Sequence, residues 1–300
     1  MTDGMLSQIV IPILATLVIL MSLIIPHPLS YSTTTIRDLD RTQADAAEEK
    51  VRVLADELET RINKSGEILE ITSKLPQVSS APFASSISPE LHGIPEDADM
   101  PKRKVAQDIL DTDKDFQVIF FLMPNGDMYL IEPYSRQQNL TANNFAFRDY
   151  YRGAVDTHNT YLGNVIVSAS SGRPQTNMAV PIFSENNGTL IGVWGGGLNL
   201  TNFSKSLQSL NLMNNERIVY VDQQGQKITD SNNQSLLRSN SPNESFADLQ
   251  SFRNAVNGES GTLIESINGT KMLVSYHPVK VFSTVWAVLV IQPYDGPTVS

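Results

Sequence analysis

The sequence predicts an α+β fold in which one long helix is followed by two antiparallel sheets in tandem. Three observations support this prediction: a helical pattern over 33–76, strand and hairpin patterns that begin near residue 116, and a second run of the same patterns after residue 211. Apolar residues recur every three or four positions in a surface helix and every second position in a half-buried strand. Each change of period therefore marks a change of element.

Residues 8–26 are predicted to form a transmembrane anchor. The segment QIVIPILATLVILMSLII is almost entirely apolar, and at about 1.5 Å per residue it nearly crosses a hydrocarbon core of about 30 Å. The leader at 1–7 has no Lys or Arg and no small-residue cleavage site follows, which favours an uncleaved anchor over a signal peptide. We therefore expect a cytoplasmic leader and a single-pass plasma-membrane protein whose main domain is extracellular or periplasmic.

The long helix over 33–76 carries one apolar stripe, and Pro76 closes it. The stripe consists of residues at steps of three and four, namely Val51, Leu54, Leu58, Ile62, Ser65, Leu69 and Thr72. Such a stripe can pack on a domain or pair with a second copy of itself, so a homodimer through this helix is one expectation.

The first half of the outer chain, 102–210, is predicted to contain a short helix, a hairpin, a second short helix, two strands, a further strand and a last helix. The hairpin turns at the sequence PNGD, where Asn125 and Gly126 are expected to take positive φ. The second short helix has the sequence FRDYYRGAV, and the two strands that follow it surround a turn at 171–174.

The second half, 211–295, repeats the order of hairpin, helix, hairpin and strand. Its first hairpin turns through Gly225, its second through Asn268 and Gly269, and Ser245 is the expected N-cap of its helix. The repeat is one of pattern, since sequence identity between the halves is slight. Antiparallel sheets with helices on one face indicate two α+β subdomains.

Composition limits the functions of this chain. It has 300 residues, no cysteine and a net charge of −10. The lack of cysteine excludes disulfides, thiolate metal sites and cysteine nucleophiles, and the acidic balance argues against nucleic acid as a partner. The histidines lack metal-ligand spacing and no G-x-S-x-G motif occurs, so we expect no metal, no cofactor, no catalytic residues and no enzyme activity.

The segment FRDYYRGAV places an arginine, a spacer and two aromatic residues in sequence, as Arg148, Asp149, Tyr150 and Tyr151. Together with the strand segments VSASSGRPQTNMAVPIF and GTLIGVWGGGLNL, it resembles the double Cache domain, an extracellular sensor module of chemoreceptors and sensor kinases. The resemblance extends over about 33–295. It implies that the first half is a membrane-distal PAS-like subdomain and the second half a membrane-proximal one.

The resemblance also implies a ligand site in the first half. Family members that bind amino acids hold the ligand carboxylate with this helix, which implies that role for Arg148, Tyr150 and Tyr151. Those members carry an aspartate for the ligand's ammonium group near the position of Gly197, and a tyrosine at the position of Asn143. This sequence keeps the carboxylate-binding part and lacks the ammonium-binding part, so a small carboxylate is the expected ligand.

Four further residues are candidates for this site. Ser168 and Ser170 alternate along a predicted strand, so their hydroxyls are expected to share one face and donate to the ligand. Trp194, or the bare backbone that includes Gly197, is expected to form the floor of the pocket. The alternative is that Arg148 pairs with a nearby acid at the surface while the tyrosines fill a core.

The sequence therefore predicts an outward-facing sensor domain that binds a small organic ligand and passes a signal through the membrane as a population shift. No output domain follows residue 295, so we expect either a fragment or a chain that signals through a partner protein. Two other classes stay open. A surface structural or adhesive scaffold would bind no small molecule and would expose a conspicuous apolar patch, and an extracellular hydrolase would need a converging nucleophile and base.

Overall fold

The structure of the protein, a computed structural model, describes four stretches of the chain, which are 31–210, 212, 215–232 and 244–294. The predicted leader at 1–7 and the predicted anchor at 8–26 lie outside these stretches. None of the helices in the described stretches is long and apolar enough to cross a membrane. The chain divides into two compact units, 1–43 and 44–300, and every contact given below lies within the second.

The helices are α1 Tyr31–Ser73, a 3₁₀ turn Ala84–Ser86, α2 Met100–Thr112, α3 Tyr134–Gln138, α4 Asp149–Thr157, α5 Leu200–Gln208 and α6 Gln250–Val256. The strands are β1 Phe116–Leu122, β2 Met128–Glu132, β3 Tyr161–Leu162, β4 Ile166–Val167, β5 Pro174–Phe183, β6 Leu190–Leu198, β7 Arg217–Val221, β8 Lys227–Asp230, β9 Gly261–Ile267, β10 Thr270–Val281 and β11 Thr284–Pro293.

Two antiparallel sheets form the core and repeat the same strand order. The first sheet has the order β2-β1-β6-β5-β3 with β4 paired to β5, and the second has the order β8-β7-β11-β10-β9. The first sheet lies within 102–210 and the second within 211–295. The predicted α+β class, with a long N-terminal helix and two antiparallel sheets, is therefore confirmed, while the boundaries of the two subdomains stay a prediction.

The apolar stripe of α1 is buried against both sheets. Ile62, in the middle of the stripe, is fully buried in the same core cluster as residues of each sheet. Polar contacts flank it: Lys50 Nζ lies 2.7 Å from the carboxylate of Glu216, and Arg61 Nη2 lies 2.6 Å from that of Asp115. The stripe is thus used within the chain, so a homodimer through α1 would have to use another face of the helix.

The three predicted hairpins form, and each turn contains a glycine with positive φ, at Gly126, Gly225 and Gly269. The prediction of positive φ at Asn125 is wrong. Its side-chain oxygen accepts the backbone N–H of Asp127 at 3.1 Å, so this asparagine closes an Asx turn and leaves the positive φ to the glycine.

Helix α6 begins later than predicted. Ser245 forms an isolated bridge with Gln226, and its hydroxyl accepts the N–H of Ala247 at 3.3 Å. The helix itself starts at Gln250, with Leu249 as the residue before it and no side-chain cap. Ser245 therefore belongs to the sheet edge, because the bridge holds its backbone extended, and it is not an N-cap.

Candidate functional site

A cavity lies on the face of the first sheet that packs against α4. Its volume is about 30 Å³, and because a water molecule needs about 10–15 Å³ of such space, the site is narrow. Its apolar lining comes from the sheet and adjoining loops, with Val118, Phe120, Met128, Ile131, Leu140, Phe145, Ile166 and Ala169. Its polar lining consists of Arg148, Tyr150, Ser168, Ser170, Gln175 and Asn177.

Arg148 immediately precedes α4 and is half-buried at the cavity wall. Its Nη2 donates to the carbonyl oxygen of Val167 in β4 at 3.2 Å, and its guanidinium carbon lies 4.9 Å from the centre of the Phe147 ring. Its Nε is buried and has no hydrogen-bond partner among the described residues. An unsatisfied buried donor costs about 1–3 kcal/mol, so Nε of this lining residue is a donor that lacks an acceptor among the described residues.

Tyr150 forms the adjoining wall together with Phe120. The two ring centres lie 5.6 Å apart with the planes tilted by 56°, and Tyr150 is only 4% exposed. Burial raises the pKa of its hydroxyl, and the nearby charge of Arg148 opposes this shift only in part. The hydroxyl is therefore neutral at physiological pH and available as a hydrogen-bond donor.

Tyr151 and Trp194, two predicted site residues, lie away from the described lining of the cavity. The Tyr151 hydroxyl donates to the carbonyl of Pro124 at 2.6 Å, which ties α4 to the first hairpin turn. Trp194 is fully buried on the opposite face of the sheet, where its Nε1 donates to Thr72 of α1 at 3.0 Å. The structure therefore gives no support to ligand contacts by these two residues, because the Tyr151 hydroxyl and the Trp194 indole N–H already donate to other residues.

Gly197, the other predicted floor residue, is covered by a neighbouring side chain. A Cβ atom at this position would lie 2.2 Å from Nε2 of Gln175 and 2.7 Å from Cγ2 of Val118, and both of these residues line the cavity. Gln175 therefore occupies the space in which an aspartate would have to stand. Gly197 leaves room for the amide of Gln175, and this amide forms the floor of the cavity at that point.

Three amide side chains form a network that sequence reasoning missed. Nε2 of Gln117 donates to Oε1 of Gln175 at 3.0 Å, and Nε2 of Gln175 donates to Oδ1 of Asn177. Asn177 pairs with Gly197 across the sheet. The signal was the alternation of Gln and Asn in the strand sequence PQTNMAV, since residues two apart in a strand share a face.

Ser168 and Ser170 both line the cavity, and their hydroxyl oxygens lie 3.3 Å apart. The prediction that they alternate on a strand is wrong, because β4 ends at Val167 and both serines lie in the turn that follows. That turn is closed by a hydrogen bond from the N–H of Ser168 to the carbonyl of Arg173 at 2.9 Å. The turn, rather than strand pleating, brings the two hydroxyls together.

The cavity carries a single formal charge. Among its described lining residues only Arg148 is ionised at neutral pH. The neighbouring carboxylate of Asp149 accepts the backbone N–H groups of Tyr150 at 2.8 Å and Asn164 at 2.7 Å, so it serves the loop and not the cavity. A site with one half-buried cation and neutral hydroxyl and amide groups suits an anion with one negative charge.

The second half of the chain shows which arginine belongs to the scaffold. The segments FAFRDYYRGAV and FADLQSFRNAV share Phe, Ala, Arg, Ala and Val at matching positions. Arg152 and Arg253, the shared arginines, each donate through Nε to a carbonyl six residues earlier at 3.2 Å. The position that matches Arg148 is Leu249. The contact made by Arg152 is therefore common to both halves, whereas the arginine at position 148 occurs only in the first.

Comparison with protein families now identifies the class. The family model for the double Cache form, described as Cache domain, matches residues 32–297. This match spans most of the chain, and the protein belongs to the Cache domain family. A comparison with curated proteins finds no match.

Solved structures with the same fold include three bacterial sensor domains. The ligand-binding domain of the Pseudomonas fluorescens chemoreceptor CtaA, in complex with L-isoleucine, is 16% identical with a TM-score of 0.57, over 89% of this chain and 98% of that one. The ligand-binding domain of the Pseudomonas aeruginosa chemoreceptor PctC, in complex with GABA, is 18% identical with a TM-score of 0.55, over 81% and 96%. The periplasmic sensory domain of the Campylobacter jejuni chemoreceptor Tlp1 is 14% identical with a TM-score of 0.61, over 85% and 96%. At these identities the likeness establishes the fold.

Proposed function

We propose that this protein is an extracytoplasmic sensor domain that binds a small monocarboxylate beside Arg148. Membership of the Cache family and the likeness to chemoreceptor sensor domains support the sensor class. The observation that carries the choice of ligand is the buried Nε of Arg148, which lacks a partner among the described residues. Nε–H and one Nη2–H point to the same side of a guanidinium group and together match a carboxylate bidentately.

The polar groups around Arg148 favour a monocarboxylate over an α-amino acid. An ammonium group is stabilised by an opposite charge, and the described lining of the cavity contains no carboxylate. Gln175 occupies the space above Gly197, so no acidic side chain could be accommodated there without displacing the amide. The ligands bound by CtaA and PctC carry both a carboxylate and an amino group, and this site offers partners for the first of the two.

The apolar lining and the volume of the cavity indicate the polarity and size of the rest of the ligand. Apolar residues form the larger part of the wall, which suits a short hydrocarbon chain. The small volume of about 30 Å³ restricts the site to compact molecules unless the turn at 168–170 moves outwards. Propanoate, 3-methylbutanoate and 4-methylpentanoate are therefore suitable probes of increasing size.

Strand β4 offers a physical route from this site to the second sheet. A carboxylate that takes Nε–H and one Nη2–H of Arg148 would lie beside the carbonyl of Val167, which accepts from Nη2. Two residues earlier, the N–H of Val165 donates to the buried carboxylate of Asp222, beside β7 in the second sheet, at 3.0 Å. Ligand binding would thus act on one end of β4 while the residue before its other end is tied to Asp222, which biases the arrangement of β4 and the second sheet.

Calorimetric titration of the purified full chain with the three acids tests the binding proposal. In Arg148→Gln we expect about 10- to 100-fold weaker binding, because hydrogen bonds to charged groups contribute about 1.5–3 kcal/mol. Arg152→Gln is the matched control, since it removes the same charge four residues further along, in α4, where the side chain contacts the backbone carbonyl of Ala146. Binding that survives Arg148→Gln, or that falls equally in both variants, contradicts the proposal.

The signalling part is tested separately by distance measurement. The chain has no cysteine, so Ile71→Cys in α1 and Ile264→Cys in β9, both at exposed positions, provide two unique labelling sites. A saturating acid should change the distance distribution between spin labels at these two positions. An unchanged distribution at saturation would remove the coupling step and leave the binding proposal intact.

A further inference from the structure

A second and larger cavity lies at one edge of the first sheet. It has a volume of about 500 Å³, within the range of about 300–1,000 Å³ that is usual for small-molecule sites. It is formed by β1, α3, the turn before β5 and the beginning of α5. None of its described lining residues belongs to the lining of the cavity beside Arg148, so it is a separate site.

Three basic side chains converge on this second cavity, those of Arg136, Arg173 and Lys205. Its described lining contains no acidic residue, although acidic residues outnumber basic ones in the chain, 32 to 22. Three cations that line one cavity without an acidic neighbour in its described lining favour the binding of an anion.

None of these three side chains has an ion-pair partner among the described residues, a property they share with exposed lysines such as Lys64 and Lys271. Most buried or half-buried cations are paired, as Arg61 is with Asp115 and Arg103 with Glu132. By contrast, Arg136 is half-buried and forms no side-chain ion pair or hydrogen bond with any residue of the described stretches, and the exposed Arg173 and Lys205 line the same cavity without such a partner. Their charges are therefore available to a ligand.

The beginning of α5 adds polar donors to this cationic space. Asn199, Leu200 and Thr201 line the cavity, and the helix has no side-chain cap at this end. Backbone N–H groups at a helix start and the positive end of the helix dipole both favour negative charge. They reinforce a preference that the three basic side chains already set.

We propose that this cavity is a binding site for a small multivalent anion, with at least two negative charges carried by carboxylate or phosphate groups. Several cations are best matched by an anion with several charged oxygen groups, each accepting from a different donor. The monocarboxylate site differs from it in having one cation and a mostly apolar wall. The proposal does not depend on the identity of the ligand beside Arg148.

The two sites are nevertheless linked through the sheet edge. Gln117 lines the multivalent-anion site, and its Nε2 donates to Gln175 in the lining of the first cavity at 3.0 Å. The carbonyl of Arg173 accepts the N–H of Ser168 at 2.9 Å. An anion that draws in Arg173 would therefore pull on the turn that carries the two serines.

Calorimetric titration of the full chain with citrate, inorganic phosphate and acetate at constant ionic strength tests this proposal. We expect saturable binding of citrate or phosphate but not of acetate at this site, and weaker binding as salt is raised. Citrate alone would indicate a polycarboxylate, and phosphate alone would indicate a phosphoryl ligand. Absence of saturable binding by both would overturn the proposal.

Three variants locate the site. Lys205→Gln and Arg173→Gln change exposed side chains and should each weaken binding about tenfold, the effect of one lost charge-assisted hydrogen bond. Lys271→Gln, which removes an exposed lysine from the second sheet, should leave binding unchanged. Equal weakening in Lys271→Gln and Lys205→Gln would show a general charge effect and contradict the assignment.

Discussion

The close packing of Gln175 over Gly197 makes a sharp prediction for Gly197→Ala. The new Cβ would lie 2.2 Å from Nε2 and 2.7 Å from Cδ of Gln175, and 2.7 Å from Cγ2 of Val118. Non-bonded heavy atoms prefer separations of about 3.5–4.0 Å, so these contacts would be too short by about 1 Å. Gln175 has little room to yield, because its amide is held by Gln117 and Asn177.

We expect Gly197→Ala to lower the free energy of unfolding by about 1–3 kcal/mol, the usual cost of overpacking a core. For a unit of this size each kcal/mol corresponds to a fall in Tm of about 2–4 °C. Equilibrium unfolding of the full chain in urea, followed by tryptophan fluorescence, measures the change. The displaced Gln175 would also enter the cavity, so monocarboxylate affinity should fall in the same variant.

The double variant Gly197→Ala with Gln175→Ala separates this contact from other effects. Removing the amide takes away the atoms that the new Cβ would strike, so the double variant should be more stable than the two single losses predict. The coupling energy between contacting residues is commonly about 0.5–3 kcal/mol. A fully stable Gly197→Ala protein, or strictly additive losses, would refute the packing described here.

Two further predictions concern charged pairs away from the cavities. Arg103→Met should lower the free energy of unfolding by about 3–5 kcal/mol, because it leaves the buried carboxylate of Glu132 without its ion-pair partner. Lys104→Gln, at an exposed ion pair, should change the free energy of unfolding by less than about 0.5 kcal/mol. Equal effects of the two variants in urea unfolding would contradict the role given to burial. Hydrogen bonds from Arg217, opposed by burial and helped by its charge, lower the pKa of Glu244 to about 2 from its usual 4.5. A carboxylate of lowered pKa stabilises the fold above about pH 4.5 and loses this effect as pH falls towards 2. In Glu244→Gln the Tm should therefore fall less steeply with acid between these two pH values. Identical curves of Tm against pH for the variant and the unmodified protein would contradict this prediction.

The spacing of apolar residues in the sequence predicts most of the fold, because these residues are the buried ones in the structure. The stripe of α1 is buried as a helical repeat requires, and the hairpins turn at Gly126, Gly225 and Gly269 because only glycine takes these backbone angles readily. A prediction from local sequence is wrong where a contact between distant residues determines the backbone conformation. Ser245 has the side chain of an N-cap, but its backbone is held in a bridge to Gln226.

The candidate site could be predicted only in part, because sequence does not state which face of an element points into a cavity. Tyr150 and Tyr151 are adjacent on a helix of 3.6 residues per turn, so their side chains point about 100° apart and only the first lines the cavity. Trp194 lies one position along β6 from residues of the cavity face and therefore points to α1. The contact of Gln175 with Gly197 joins two strands and has no local signature.

The preference for a carboxylate without an amino group is tested most directly with matched ligands. Three pairs differ by a single ammonium group: propanoate and alanine, 3-methylbutanoate and valine, and 4-methylpentanoate and leucine. In calorimetric titrations of the full chain we expect at least one acid to bind saturably, and about tenfold or more tighter than its amino-acid partner, because the described lining around Arg148 offers no carboxylate to an ammonium group. An amino acid that binds as tightly as its acid, or saturable binding by none of the three acids, would contradict the proposed monocarboxylate site.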